Sequence, residues 1–197
     1  MAKSKIEKIQ SGIDKYQYLR RRLFETDVST DRDFQKAFNG FFRMGRRTEE
    51  YYADYYWYEI GDVIGIGDNE FSYFCFPKGD VSVTKARLAT EELYKMNGIN
   101  FADALAFLYN KHGKLEMSFV SKMVAMVDPS KPIWDSMVTL GHFGIKAPYA
   151  NVKNRLAKGI ERYEQYCREY NAYMQTDAAK QKVMFFDQQF PNADITE

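Results

Sequence analysis

The sequence contains few of the residues that hold metals and disulfide bonds. Its 197 residues include two cysteines and two histidines. Cys75 and Cys167 lie far apart without CxxC spacing, which indicates reduced thiols and argues against a zinc site or a disulfide framework. His112 and His142 are isolated, and no cluster of His, Asp and Glu indicates a metal. We therefore expect no metal and no cofactor, and no Ser, His and Asp arrangement favours a hydrolase.

Long apolar runs and an excess of charge are also missing. No apolar run approaches a membrane span and no apolar signal region follows the first residues, so we expect a cytoplasmic protein outside the membrane. With 28 basic and 27 acidic residues the net charge is +1, which is not the pattern of an obligate nucleic-acid binder. The charge is uneven, because residues 1–50 hold 12 Lys and Arg against 8 Asp and Glu. The glycines of residues 61–67 form neither a dinucleotide fingerprint nor a P-loop.

Aromatic residues, in contrast, are abundant. Phe, Trp and Tyr make up 16% of the chain, with 15 Tyr and 15 Phe, which argues against disorder. The length suits a single helical domain over residues 1–197, in which residues 1–28 form a peripheral N-terminal helix. Short apolar stripes separated by Pro, Gly and capping residues predict an all-α orthogonal array of about eight helices. At most, a short strand pair lies near residues 63–76.

One stretch, residues 118–140, organises the prediction. An apolar stripe at helical period predicts a buried helix, formed by Phe119, Val120, Met123, Val124, Met126 and Val127. Four small or polar residues fall on its opposite face: Ser118, Ser121, Lys122 and Ala125. Asp128 precedes Pro129, which ends the helix. Asp135 then occupies an N-cap position, and Gly141 ends the second helix.

Caps and periodicity predict the flanking helices. Thr48, Asn100 and Thr176 are N-cap candidates. Pro148 is expected to begin the longest helix, whose apolar seam from Val152 to Met174 fits a bundle core better than a partner-binding surface. The last helix is predicted to turn three residues inward: Val183, Met184 and Phe186.

Two residues of the central stretch are candidates for chemistry. Asp135 is either a cap that contributes about 1 kcal/mol or a carboxylate that faces a site. Lys122 is either a solvated charge or an amine nucleophile, and a nucleophile would need desolvation or a nearby cation to lower its pKa. The sequence shows no source for such a shift.

A second candidate group combines basic and aromatic residues. Arg43, Arg46 and Arg47 precede a tyrosine-rich helix that carries Tyr51 and Tyr55 on one face. Basic residues beside aromatic rings could hold a nucleotide or an unpaired base. Aromatic stripes at helical spacing are more often part of a core, and both interpretations stay open at this point.

The segments Met117–Lys122 and Pro132–Asp135 resemble the helix–turn–Asp segment of helix-hairpin-helix DNA glycosylases, especially the short 8-oxoguanine type. They also resemble a family of small bacterial proteins with an S-F-A-S-K…P-I-W-D-S segment. The first resemblance implies a glycosylase-like fold in which Asp135 matches the aspartate of that family. Ser118 stands where those enzymes have the Schiff-base lysine. Residues 114–116 lack the glycines of the hairpin that binds a DNA phosphate.

These features lead to two function hypotheses. In the first, the protein binds nucleic acid or a nucleotide-like ligand beside Ser118, Lys122 and Trp134, without lyase activity. Any catalysis would be hydrolytic, with Asp135 activating a water or stabilising an oxocarbenium ion. In the second, it is a helical interaction component of a multi-component bacterial system that binds a protein partner and catalyses nothing. We expect binding rather than catalysis.

Overall fold

A computed structural model describes residues 4–26, 28, 30–61 and 100–193, and gives only the backbone of residues 57–61. All regular secondary structure in these ranges is helical, which confirms the predicted all-α class and the expected number of about eight helices. The strand pair predicted near residues 63–76 lies outside the described residues. None of the described helices is both long and apolar enough to cross a membrane.

The described helices follow one another in this order: α1 Lys5–Glu25, α2 Arg32–Phe41, α3 Glu49–Gly61, α4 Phe101–His112, α5 Met117–Val127, α6 Ser136–Thr139, α7 Arg155–Met174 and α8 Asp177–Gln189. Helix α4 contacts α3, α5 and α7, while α1 contacts α2 and α8 contacts α7. Residues from α1 to α5 and from α7 share one hydrophobic core, together with Trp134 and Ile145 between them.

The predicted N-caps are confirmed. The Asn100 side chain accepts the Ala102 N–H at 2.9 Å, and the Thr176 hydroxyl accepts the Ala179 N–H at 3.3 Å. Thr48 caps α3 in the same way, through the Tyr51 N–H at 3.2 Å. Each bond satisfies one of the backbone donors that a helix start leaves unpaired.

Helix α5 is the centre of the core. It is buried at every position except Ser118 and Lys122. The sequence predicted a wider polar face, but Ser121 is 0% exposed and Ala125 is 7% exposed. Ser121 is tolerated there because its hydroxyl accepts the Trp134 N–H at 2.8 Å and donates to the Ser118 carbonyl at 3.2 Å, which satisfies its polar atom.

Two predictions about the C-terminal helices were wrong. The helix expected from Pro148 begins at Arg155, because Asn154 adopts a left-handed conformation with φ 57° that interrupts the helical path. With 20 residues it is also shorter than α1, which has 21. Met184 was expected inside but is 60% exposed, since α7 is the one described helix with which α8 makes an extensive contact.

Helix α7 holds the turn that joins α5 to α6. The Tyr163 hydroxyl donates to the Pro132 carbonyl at 3.0 Å, and the Tyr166 hydroxyl donates to the Ile133 carbonyl at 3.3 Å. The Tyr166 ring also packs edge-on against Trp134, with 5.8 Å between ring centroids. The apolar seam of α7 therefore faces the core, as the periodicity predicted.

Candidate functional site

The two exposed positions of α5 are the two residues that the sequence singled out on this helix. Ser118 and Lys122 are both partly exposed, whereas their nine helix neighbours are buried. Residues four apart lie on the same face of an α-helix. Ser118 and Lys122 therefore form one small polar surface on an otherwise enclosed helix. Together with Phe119 and Asp135 we call this surface the Lys122 site.

The environment of Lys122 differs from that of a solvated lysine. Its ammonium Nζ lies 5.4 Å from the centroid of the Phe119 ring. Burial lowers the pKa of the Lys122 amine, and the nearby Asp135 carboxylate acts in the opposite direction, with a net result below the usual value. Desolvation disfavours the charged form of an amine. The fold thus supplies the shift in pKa for which the sequence showed no source.

Asp135 performs the capping role that the sequence predicted. Its Oδ1 accepts the Met137 N–H at 2.8 Å, and the residue is exposed at the start of α6. The same carboxylate acts electrostatically on Lys122. The two interpretations of Asp135 are compatible, because one carboxylate oxygen caps α6 while the negative charge of the group acts on the Lys122 amine.

Trp134, in contrast, lies in the core and is not available to a ligand. It is 4% exposed and belongs to the core. The backbone N–H of Trp134 donates a hydrogen bond to the Ser121 hydroxyl at 2.8 Å, which connects the residue before Asp135 directly to α5. The contribution of Trp134 in this structure is to fix the distance between α5 and the start of α6.

The candidate group of arginines and tyrosines meets the Lys122 site at Phe119. The Arg47 guanidinium lies 4.7 Å from the Phe119 ring centroid and 5.8 Å from that of Tyr51. It also binds both carboxylate oxygens of Glu116, with Nε–Oε1 at 3.1 Å and Nη2–Oε2 at 3.2 Å. Phe119 therefore has two cations, Arg47 and Lys122, near its ring, an arrangement that favours cation–π attraction.

The other members of the second group are separated by the fold. Tyr51 and Tyr55 are 2% and 0% exposed, and the Tyr55 hydroxyl donates to the Phe119 carbonyl at 2.8 Å. They stack on each other in the core with ring centroids 6.2 Å apart. Arg43 and Arg46 are exposed on the loop after α2. The structure thus brings only Arg47 of the three arginines to the Lys122 site.

A basic segment that the sequence analysis did not identify follows the site. Residues 136–160 contain no Asp or Glu, and they carry four cations: Lys146, Lys153, Arg155 and Lys158. The three lysines are exposed. We call this stretch the acid-free segment. Charge counted over windows of 25 residues would have revealed it, whereas windows of 50 average it with the acidic residues of α7.

Within the ranges that the structure describes, no three residues among His, Cys, Asp and Glu are grouped so that they could hold a metal ion. The closest arrangement is a pair, in which His112 Nε2 lies 3.0 Å from Asp54 Oδ2. Lys111 shares that carboxylate at 2.5 Å, so the three residues tie α3 to α4.

Scans of the chain against protein-family models, curated proteins and solved structures found no match.

Proposed function

We propose that the protein binds nucleic acid at the Lys122 site, in a helical fold related to that of helix-hairpin-helix DNA glycosylases, and that it lacks lyase activity. One observation carries the proposal: α5 is buried at nine of its eleven positions and is partly exposed only at Ser118 and Lys122, and the Asp135 carboxylate acts electrostatically on the Lys122 amine. A partly desolvated amine next to a carboxylate is the kind of arrangement found at functional sites.

The acid-free segment supports a polyanionic ligand. It begins directly after Asp135 and places three exposed lysines on the chain that leads from the site into α7. Lysines contribute to nucleic-acid affinity by replacing the counterions condensed on phosphates. We propose that these lysines take over the phosphate contacts that residues 114–116 cannot make, because residues 114–116 lack the glycines of a phosphate-binding hairpin.

The residues of the site set the chemistry that we propose. Ser118, at the position that matches the Schiff-base lysine of the glycosylases, has no amine and cannot form a Schiff base with an abasic sugar. We therefore propose that the lyase reaction of that position is lost and that Lys122 acts as a binding group. Asp135 retains an ionisable carboxylate that could stabilise positive charge on a sugar or orient a water. Any residual activity would therefore be hydrolytic and would depend on Asp135.

Binding is tested with fluorescently labelled duplex DNA, either intact or containing one abasic site, at two salt concentrations. We expect tighter binding to the abasic duplex, and affinity that falls steeply with salt. Replacing Lys146, Lys153 and Lys158 together with Gln should reduce the slope of log K against log salt by about 3, because each phosphate contact contributes roughly one. Lys180→Gln, an exposed lysine of α8, is the matched control and should change nothing.

The site itself is tested with two further variants. Lys122→Gln should remove the preference for the abasic duplex while leaving the salt slope nearly intact. Asp135→Asn keeps the N-cap, because asparagine caps helices as well as aspartate does, and should abolish any base release. Absence of binding at low salt would disprove the proposal. A covalent adduct trapped by borohydride, and lost in Lys122→Gln, would disprove the statement about lyase activity.

A protein partner is the second candidate function, and helix α8 favours it. Met184 and Phe185 are 60% and 65% exposed on adjacent positions of this helix, and Ala179 is its one fully buried residue. Exposed neighbouring apolar side chains often mark interaction surfaces. Sedimentation of the wild type and of a Met184→Ser, Phe185→Ser double variant tests whether they mediate self-association. A monomer at all concentrations would exclude a second copy of this chain as the partner of these side chains.

A further inference from the structure

A cleft of about 270 Å³ lies at the C-terminal end of α5, in the turn of the helix that follows Lys122. Tyr16 of α1, Phe42 at the end of α2 and Tyr170 of α7 line it, and all three rings are partly buried against the core. Ala125 and Met126 of α5 line it too and are 7% and 0% exposed. We call it the Tyr170 cleft. Neither Lys122 nor Asp135 is among the described residues that line it.

The size and lining of the cleft restrict the ligand. A water molecule takes up about 30 Å³ in the liquid, so the volume corresponds to roughly nine waters. Pockets for drug-sized ligands start at about 300 Å³, which leaves room here for one or two fused rings. Aromatic side chains pack well on planar rings, and Met126 offers a polarisable thioether that makes favourable contacts with such rings.

One cationic side chain contributes to the wall of the cleft. Lys131 lines it, and none of the described lining residues is Asp or Glu. Burial raises the pKa of the Tyr16 hydroxyl on the cleft wall, and the Arg20 guanidinium acts in the opposite direction. Burial raises the pKa of the Cys167 thiol of α7, and the Tyr163 hydroxyl and the Lys131 ammonium act in the opposite direction.

Lys131 has one competing partner. Its Nζ lies 4.0 Å from Asp128 Oδ2, and the side chains are 51% and 39% exposed. Exposed pairs of this kind contribute little, so an anion in the cleft can share or replace the contact. The ammonium therefore remains able to select for negative charge.

We propose that the Tyr170 cleft binds a small planar aromatic molecule of one or two rings that carries one anionic group. This inference does not depend on the proposed function, because none of the described residues that line the cleft belongs to the Lys122 site. Ala125 and Met126 lie one turn further along the same face of α5 as Lys122. The rings of Tyr16, Phe42 and Tyr170 would contact the planar part, and Lys131 would pair with the anion.

The probes are 2-naphthoate and 2-naphthamide, which have nearly the same shape and differ in charge. Each probe is titrated into the full-length chain, and saturation-transfer NMR monitors its binding and gives the dissociation constant. We expect 2-naphthoate to bind about fivefold more tightly, which is the upper end of what an exposed ion pair contributes. In Lys131→Gln the two constants should agree within about twofold. Lys180→Gln, an exposed lysine of α8 far along the chain, should behave as the wild type does.

A second variant tests the location. Ala125→Leu places three more carbon atoms in the cleft and should abolish binding of both probes, and its far-UV circular dichroism shows whether it is folded. Because Lys131 is exposed, Lys131→Gln remains informative even if Ala125→Leu does not fold. Equal binding of the two probes to the wild type, or no binding at all, would overturn the proposal. So would unchanged binding to folded Ala125→Leu. Lys122→Gln should retain naphthoate binding, which separates this result from that of the nucleic-acid test.

Discussion

Replacement of Ser121 by alanine tests how α5 and the start of α6 are held together. Ser121 is fully buried, and its hydroxyl is the acceptor for the Trp134 N–H at 2.8 Å. In Ser121→Ala that buried N–H loses its partner, because Trp134 is itself only 4% exposed. An unsatisfied buried donor costs about 1–3 kcal/mol. The higher helix propensity of alanine returns about 0.4 kcal/mol, so we expect a net loss of about 1.5 kcal/mol in the free energy of unfolding.

Urea unfolding followed by far-UV circular dichroism measures this loss as a lower midpoint with an unchanged m value. Ser118→Ala is the matched control on the same helix. The Ser118 side chain is partly exposed and its contribution to the network is a backbone carbonyl, so this variant should be as stable as the wild type or a few tenths of a kcal/mol more stable. If both variants unfolded at the same midpoint, the hydroxyl of Ser121 would not be the connection that we describe.

Three further substitutions test the local structure, each measured as the free energy of unfolding. Arg43→Gly should stabilise by about 0.5–1 kcal/mol, because Arg43 has φ 49° at a helix end where glycine is preferred; a loss would contradict this. Gly141→Ala should destabilise by about 1–3 kcal/mol, since its Cβ would lie 2.3 Å from the Met137 carbonyl oxygen, and an unchanged midpoint would refute the clash. Burial opposes ionisation of Asp31, but backbone hydrogen bonding and Arg22 prevail and hold its pKa below the usual value. A lowered pKa stabilises the fold above the unfolded-state pKa of about 3.9 and loses that effect as the pH falls. Asp31→Asn should therefore cost about 1 kcal/mol at pH 7, and a cost that persists at pH 2 would contradict the assignment.

The central segment was predictable because its signals are local. The apolar period of α5, the proline after Asp128 and the capping side chain of Asp135 all act within a few residues. The N-caps of α4 and α8 were found for the same reason. Such signals determine where helices start and stop, but they carry no information about which face of a helix another helix covers.

The details of the Lys122 site depend on distant residues and were not predictable. Arg47 reaches Glu116 across 69 positions of the chain, and neither residue has a local pattern that indicates the pair. The burial of Ser121 depends on the packing of Trp134, which in turn depends on Tyr166 of α7. Sequence could indicate Lys122 as exposed on α5, but its half-buried state and lowered pKa arise only from the assembled core.

The turn before Asp135 also constrains the order in which the molecule can assemble. Its carbonyls at Pro132 and Ile133 receive the hydroxyls of Tyr163 and Tyr166, and buried carbonyls without a donor are costly. A nascent chain that ends before α7 lacks both donors. We therefore expect helix α5 to form early during synthesis, and Asp135 to reach its final position only after α7 has emerged and docked. Pulse-labelled hydrogen exchange on refolding should accordingly protect the amides that follow Asp135 no sooner than those of α7.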